Sequence, residues 1–140
     1  MNPLCFDQGV GLIPYSPLAR GFLSGSRTKA EMFEENLEET SLTHRAKVDA
    51  VRNRTQFVDN DFEIVERLKT IAEQKQMKPA QIALAWLLSK SGVTSPIIGA
   101  SKLYHLEEAV QATNIQLSNE DITNLEQLYQ PHKLRTYNIQ

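Results

Sequence analysis

A compact apolar run, Val10-Gly-Leu-Ile-Pro14, lies almost at the start of the chain and opens directly into Tyr15-Ser-Pro-Leu-Ala-Arg-Gly21. Bounded by Gly9 and Pro14, it has the form of a strand buried on both faces of a parallel sheet; a buried helix would need more length. Parallel α/β folds gather their ligand-binding loops at the C-terminal ends of strands. A strand this early therefore implies that preceding strands of such a fold are missing, and the chain reads as a fragment. Its 140 residues suffice for one domain but fall short of a complete eight-stranded α/β barrel, which takes roughly 250.

Charge and cysteine usage narrow the partners. The formal net charge is −2, so there is no broad basic field for nucleic acid or an anionic membrane surface. Cys5 is the single cysteine, which excludes an internal disulfide framework and fits a reducing, cytoplasmic setting. The N-terminus lacks a charged region followed by an apolar one, and no stretch approaches the roughly 20 apolar residues of a membrane span. A soluble chain is expected.

Residues 1–7 read as the end of a helix. Residues 26–60 shift to charged and polar composition, with Glu31, Glu34, Glu35, Glu38 and Glu39 followed by Lys47, Arg52 and Arg54, and are expected to form a long loop. Asn60 with Glu63 predicts a capped helix from Asp61 to about Lys75, in which Phe62, Val65, Leu68, Ile71 and Ala72 repeat at helical spacing. Pro79 then opens a second helix whose Ile82, Ala83, Ala85, Trp86, Leu87 and Leu88 make it apolar nearly all round. Gly92 punctuates its end. Pro96-Ile-Ile-Gly99 forms a second short strand, followed by Ala100-Ser-Lys102 and a helix from Leu103 to about Ala112. Ser118 with Asp121 signals a last helix carrying Ile122, Leu125 and Leu128, stopped by Pro131. Two strands, each feeding a polar turn and separated by helices, describe part of a parallel sheet with both turns on one edge.

Those turns carry the candidate sites. In the first, Ser16 supplies a hydroxyl, Leu18 and Ala19 offer backbone N–H groups, Arg20 suits a phosphate oxygen, and Tyr15 presents an aromatic face. Ser24 and Gly25 extend it. A tight turn with an aromatic core residue fits the same spacing. In the second, Gly99-Ala-Ser101 precedes a helix whose first N–H groups favour an anion, with Lys102, His105 and Glu108 nearby. A solvated Glu108 is the ordinary alternative. Metal chemistry finds no support, since His44, His105 and His132 have no ligand spacing with Cys5 or a carboxylate. Ser16, Ser24 and Ser101 lack a nucleophile elbow, and the glutamates at 31–39 form no pair in an apolar setting that shifts a pKa.

Taken together, Gly9-Val-Gly-Leu-Ile-Pro-Tyr-Ser-Pro-Leu-Ala-Arg-Gly, Lys78-Pro-Ala-Gln-Ile-Ala-Leu-Ala-Trp-Leu-Leu and Pro96-Ile-Ile-Gly-Ala-Ser-Lys with Leu106-Glu-Glu closely resemble the C-terminal part of aldo-keto reductases. The resemblance runs from Met1 to about Tyr137 and is closest to the bacterial branch related to potassium-channel beta subunits. It implies an α/β fold, the C-terminal part of a TIM barrel with its last two parallel strands and surrounding helices, an incomplete barrel. It also implies NADP(H) as cofactor. Tyr15 matches the aromatic that stacks on the nicotinamide, and Ser16, Pro17, Leu18, Ala19 and Arg20 match the segment along the pyrophosphate. Gly99, Ser101, Lys102, His105 and Glu108 match the segment around the adenosine and its 2′-phosphate. Two positions depart from the family pattern, with His105 in place of an Arg or Gln and Ala109 in place of an Asn. In this family the long loop often closes over the cofactor, which makes Arg27 and Arg45 candidates with neither assigned, and the tail at His132 to Tyr137 is the part of this chain that the resemblance sets near a substrate pocket.

The family's catalytic Asp, Tyr, Lys and His belong to earlier strands that this sequence lacks, and Tyr104, Tyr129 and Tyr137 match none of them. The resemblance thus implies a cofactor-binding part of an enzyme that reduces aldehydes or ketones to alcohols, with no general acid of its own and no activity in isolation. The alternative is a non-catalytic nucleotide-binding or complementing module that assembles with a separate N-terminal half.

Overall fold

The computed structural model describes residues 2–26 and 57–131. Most of the long-loop expectation for residues 26–60 lies outside these residues, as do Arg27, Arg45 and the 132–137 tail. In chain order the described elements are helix α1 (Asn2–Asp7), a 3₁₀ segment (Ala19–Ser24), α2 (Asp59–Gln74), α3 (Pro79–Leu88), α4 (Leu103–Gln111), a 3₁₀ turn (Ala112–Asn114) and α5 (Asn119–Glu126).

The α2 helix starts two residues before the predicted Asp61. Its opening N–H is satisfied when Val58 N donates to the Asp61 carboxylate at 2.9 Å. Asn60, expected as the cap, instead points its side-chain amide at the Leu128 carbonyl beyond the end of α5. A tertiary partner has thus taken the group that local spacing assigned to capping. Pro79 occupies the first turn of α3, where its missing N–H costs nothing. The Ser118 and Asp121 box forms as expected, with Asp121 N donating to Ser118 Oγ at 3.1 Å and Ser118 N to Asp121 Oδ2 at 2.8 Å. α5 ends at Glu126, short of Pro131, so Leu128 lies past its end.

The core sits where α2, α3 and α5 meet. Leu68, Ile71 and Ala72 of α2, Ile82 and Ala83 of α3 and Leu125 of α5 form one buried cluster, flanked by Leu18, Leu23, Trp86, Ile115 and Leu117. Apolar residues nearly all round α3 serve these several neighbours at once, with 81–85 all buried. A polar cluster pins α5 to α3: Trp86 Nε1 donates to Glu126 Oε1 at 2.9 Å, the Lys90 ammonium bonds the same oxygen, and it lies 4.9 Å from the Trp86 ring centroid. Lys75 Nζ pairs with Asp121 Oδ2 at 2.8 Å, tying α2 to α5.

Both carboxylates are held below their usual range. At Glu126 the Lys90 hydrogen bond is the largest cause; it outweighs the opposing effect of burial and is helped by Trp86. At Asp121 burial alone would raise the pKa, but hydrogen bonds from Lys75 and Ser118 together overcome it. A carboxylate whose pKa is lower folded than unfolded contributes stability that is complete above the unfolded value and lost as pH falls through the folded one. Stability is therefore expected to be level near neutrality and to fall below about pH 4. Lys90→Met, which keeps the stem on Trp86, lets Glu126 titrate nearer its unfolded value, so it lowers stability near neutrality and makes the acid loss shallower. Urea midpoints measured across pH 2–7 check this, and an acid loss as large as that of the unsubstituted chain would remove Lys90 from the account.

The two expected strands are not continuous strands among the described residues. They meet in two isolated parallel bridges, Leu12 with Val93 and Tyr15 with Ile97. Leu12 N donates to Gly92 O at 2.7 Å, Thr94 N to Leu12 O at 2.8 Å, and Ile97 N to Pro14 O at 2.8 Å. The bridges are three residues apart on the first segment and four on the second, so one extra residue interrupts the register as in a bulge. Pro14 and Pro96 lack the N–H groups that a continuous ladder needs. The chain approaches closely at Gly11, where a Cβ would lie 2.1 Å from Thr94 Oγ1. At the end of α3, Phe6 of α1 covers Gly92, whose φ is +86°.

Candidate functional site

The bridge between Tyr15 and Ile97 fixes the geometry of the candidate site. Because the segments run parallel, the turn after Tyr15 and the turn at Gly99–Lys102 leave from the same end of the pair. The sequence expectation that both turns share one edge therefore matches the backbone. Tyr15 is 80% exposed, which argues against the core-aromatic alternative for this residue.

The first turn is wound unusually. Ser16, Ala19 and Arg20 have φ of 52°, 46° and 58°, all left-handed without being glycine, and Gly21 follows at 91°. Each such residue costs on the order of 1–3 kcal/mol, and such strain gathers at functional sites. Local bonds hold it: Ala19 N donates to Ser16 O at 2.9 Å, Gly21 N to Leu18 O at 2.9 Å and Leu23 N to Leu18 O at 3.1 Å. The Ser24 hydroxyl donates to Gly21 O at 2.6 Å, so it braces the turn from within. Packing supplies the larger anchor. Phe22, buried, stacks on Phe57 with centroids 4.0 Å apart and meets Phe62 edge-on at 5.2 Å. The turn is thereby fastened to α2, with Pro17, Leu18 and Ala19 half-buried and Ser16 and Arg20 outward.

The second turn is open. A Cβ built on Gly99 would meet nothing within 4 Å, so the described fold does not itself require glycine there. Ser101 and Lys102 are exposed, and His105 and Glu108 are half-buried on α4. No residue of α4 is fully buried; its side-chain hydrogen bonds to α3 come from Gln81, which the sequence alone did not single out. Buried Gln81 accepts Lys78 N at 3.0 Å and donates from Nε2 to Glu108 O at 3.3 Å and to Gln111 Oε1 at 2.9 Å. The only local signal was its place three residues after Lys78, ahead of an apolar run. An apolar groove of about 270 Å³, lined by Leu84, Leu88, Pro96, Ile98 and Val110 among others, runs between α3, α4 and the second bridged segment.

The site thus offers an exposed aromatic ring, the exposed serines Ser16 and Ser101, a glycine open to close approach, and the cations Arg20 and Lys102; the Ala19 N–H, expected to face a phosphate, is instead bonded to Ser16 O within the turn. That donor set suits a phosphorylated ligand with a flat ring. No described helix is long and apolar enough to cross a membrane.

Known proteins similar to this chain are numerous. The family model described as the aldo/keto reductase family matches residues 1–130. Versiconal hemiacetal acetate reductase of Aspergillus parasiticus is 34% identical over 132 residues, covering 94% of this chain and 36% of that protein. "Probable aldo-keto reductase 1" of Glycine max is 32% identical over 123 residues, covering 88% of this chain and 33% of the relative. Among solved structures, a thermostable aldo-keto reductase in complex with the inhibitor epalrestat superposes with a TM-score of 0.56 at 28% identity, covering 91% of this chain and 32% of that one. The chain spans about a third of the length of the curated relatives it matches.

Proposed function

The chain belongs to the aldo/keto reductase family, and from that premise we propose that it is the C-terminal, cofactor-binding part of an NADP(H)-dependent barrel enzyme that reduces aldehydes or ketones to alcohols in the cytoplasm. The observation that carries this reading is the parallel bridge of Tyr15 with Ile97, which sets an exposed aromatic ring and the Gly99–Lys102 turn at one end of the pair.

The residues fit the cofactor. Gly99 leaves room for a phosphate against the backbone. Tyr15 offers its face to the nicotinamide ring, Ser16 to Arg20 run along the pyrophosphate, and Ser101, Lys102, His105 and Glu108 surround the adenosine end. When bound, NADPH supplies the hydride for the carbonyl carbon of the substrate. The residues of this chain orient that donor and neutralise its phosphate charge. The acid that protonates the carbonyl oxygen is outside these 140 residues on the same reading, so this stretch alone binds cofactor and turns over no carbonyl compound.

Titration of the chain with NADPH and NADH, followed by cofactor fluorescence, tests the reading. Saturable binding with NADPH preferred is expected, and Tyr15→Ala should weaken it about two- to tenfold through lost stacking. Absence of saturable NADPH binding by the folded chain would overturn it.

A second reading, a module that assembles with a separately encoded N-terminal half, is favoured by the exposure of Val10, Ile13 and Ile97, at 57%, 61% and 57%. These apolar side chains lie on the bridged segments, where further strands would pair and cover them. Co-expression with an N-terminal barrel portion, followed by mass measurement of the purified material, separates the two.

A further inference from the structure

Tyr104 has no role in the cofactor reading, yet its ring touches two residues that do. The Lys102 ammonium lies 5.5 Å from the ring centroid, and the His105 ring meets it edge to face with centroids 4.4 Å apart. At 47% exposure, the Tyr104 ring is not part of the hydrophobic core. Lys102 leaves the chain from extended backbone, φ −138° and ψ 150°, just ahead of α4. A lysine there has a flexible four-carbon stem and a strongly hydrated point charge, so unaided it spreads over many rotamers. An aromatic face attracts the ammonium and narrows that spread. The freedom surrendered on meeting an anion is then smaller, which is how preorganisation raises affinity.

We infer that Tyr104 is a positioning residue that holds Lys102, with His105 beside it, for the phosphorylated ribose of the dinucleotide, and that it thereby sets the preference for NADPH over NADH. This rests on the cofactor reading above. Tyr104 acts through Lys102 and touches no ligand itself.

The full chain is titrated with NADPH and with NADH. Tyr104→Leu lowers NADPH affinity about two- to fivefold and leaves NADH affinity unchanged, so the ratio falls. Tyr104→Phe keeps the ring and the ratio. In a Lys102→Ala background, Tyr104→Leu has no further effect, because the two act as one unit. A merely structural role would weaken both nucleotides alike and would persist without Lys102. Carbon-13 NMR of the wild-type chain gives a reading that no substitution can spoil: ring-current displacement of the Lys102 Cε protons is expected, and its absence overturns the inference. A wild-type preference for NADPH that survives Tyr104→Leu also overturns it while leaving the cofactor reading intact. A wild-type chain without saturable NADPH binding overturns both.

Discussion

Replacing Ile82 with alanine is expected to destabilise the chain by about 2–5 kcal/mol. Ile82 is 0% exposed and belongs to the cluster in which α2, α3 and α5 converge. Truncation removes the transfer free energy of three carbons and leaves a cavity, because the surrounding helices are fastened independently. Arg67 Nη1 bonds the Asn124 carbonyl at 2.9 Å, Lys75 pairs with Asp121, and Trp86 and Lys90 hold Glu126. These ties oppose the collapse that would fill the gap. Domains of this size have only about 5–15 kcal/mol of net stability, so one substitution removes a large share of it. Urea unfolding followed by circular dichroism measures the effect, with Val110→Ala as comparison, since Val110 is 57% exposed and its truncation should stay within about 0.5 kcal/mol. Equal losses at the two positions would show that α3 is not the centre of the core.

Gly99→Ala is expected to leave stability unchanged and to reduce NADPH affinity about ten- to a hundredfold. The first half follows from space, because nothing lies within 4 Å of the added Cβ. The second follows from the proposed close approach of a phosphate to this backbone. A methyl group in the way forfeits a charge-assisted hydrogen bond from an N–H, worth about 1.5–3 kcal/mol, and that range corresponds to the stated loss. Gly11→Ala makes the opposite contrast. Its Cβ would collide with Thr94 at the backbone pairing itself, so the damage there should appear in the unfolding curve. Unchanged NADPH affinity in a folded Gly99→Ala chain would remove this turn from the proposed site.

What was legible in the sequence was what neighbours along the chain decide. The Ser118 and Asp121 box, proline at the start of α3 and the buried stripe of α2 each depend on residues within a turn or two. Asn60 was misread because its partner, the Leu128 carbonyl, is distant in sequence and offers the amide a better use than the cap. The apolar runs at 10–14 and 96–99 announced their β character, but continuity of a ladder depends on partner N–H groups, and proline interrupts both runs. The position of the two candidate turns at one edge was readable from the order of elements. The left-handed backbone at Ser16, Ala19 and Arg20 was not, since these residue types carry no preference for it. Gln81 escaped because a buried polar side chain is recognised by its partners, here Glu108 and Gln111, rather than by its type.

The unequal spacing of the two bridges, three residues on one segment against four on the other, sets a phase between the two turns. Side chains alternate faces along extended backbone, so in a regular pairing both segments would change face in step. Strict alternation would set Ile97, four residues from Val93, on the face opposite Tyr15, three residues from Leu12; the bulge absorbs that change of phase, since the bridged Tyr15 and Ile97 are both exposed while Leu12 and Val93 are both half-buried. Inserting a residue between Val93 and Ile97 would put the Gly99–Lys102 turn out of phase with Tyr15, whereas deleting one would restore in-step pairing and keep both turns on one side. A length change in this stretch is therefore expected to act on the relation of the two turns rather than on the helical core, where Leu68, Ile82 and Leu125 meet.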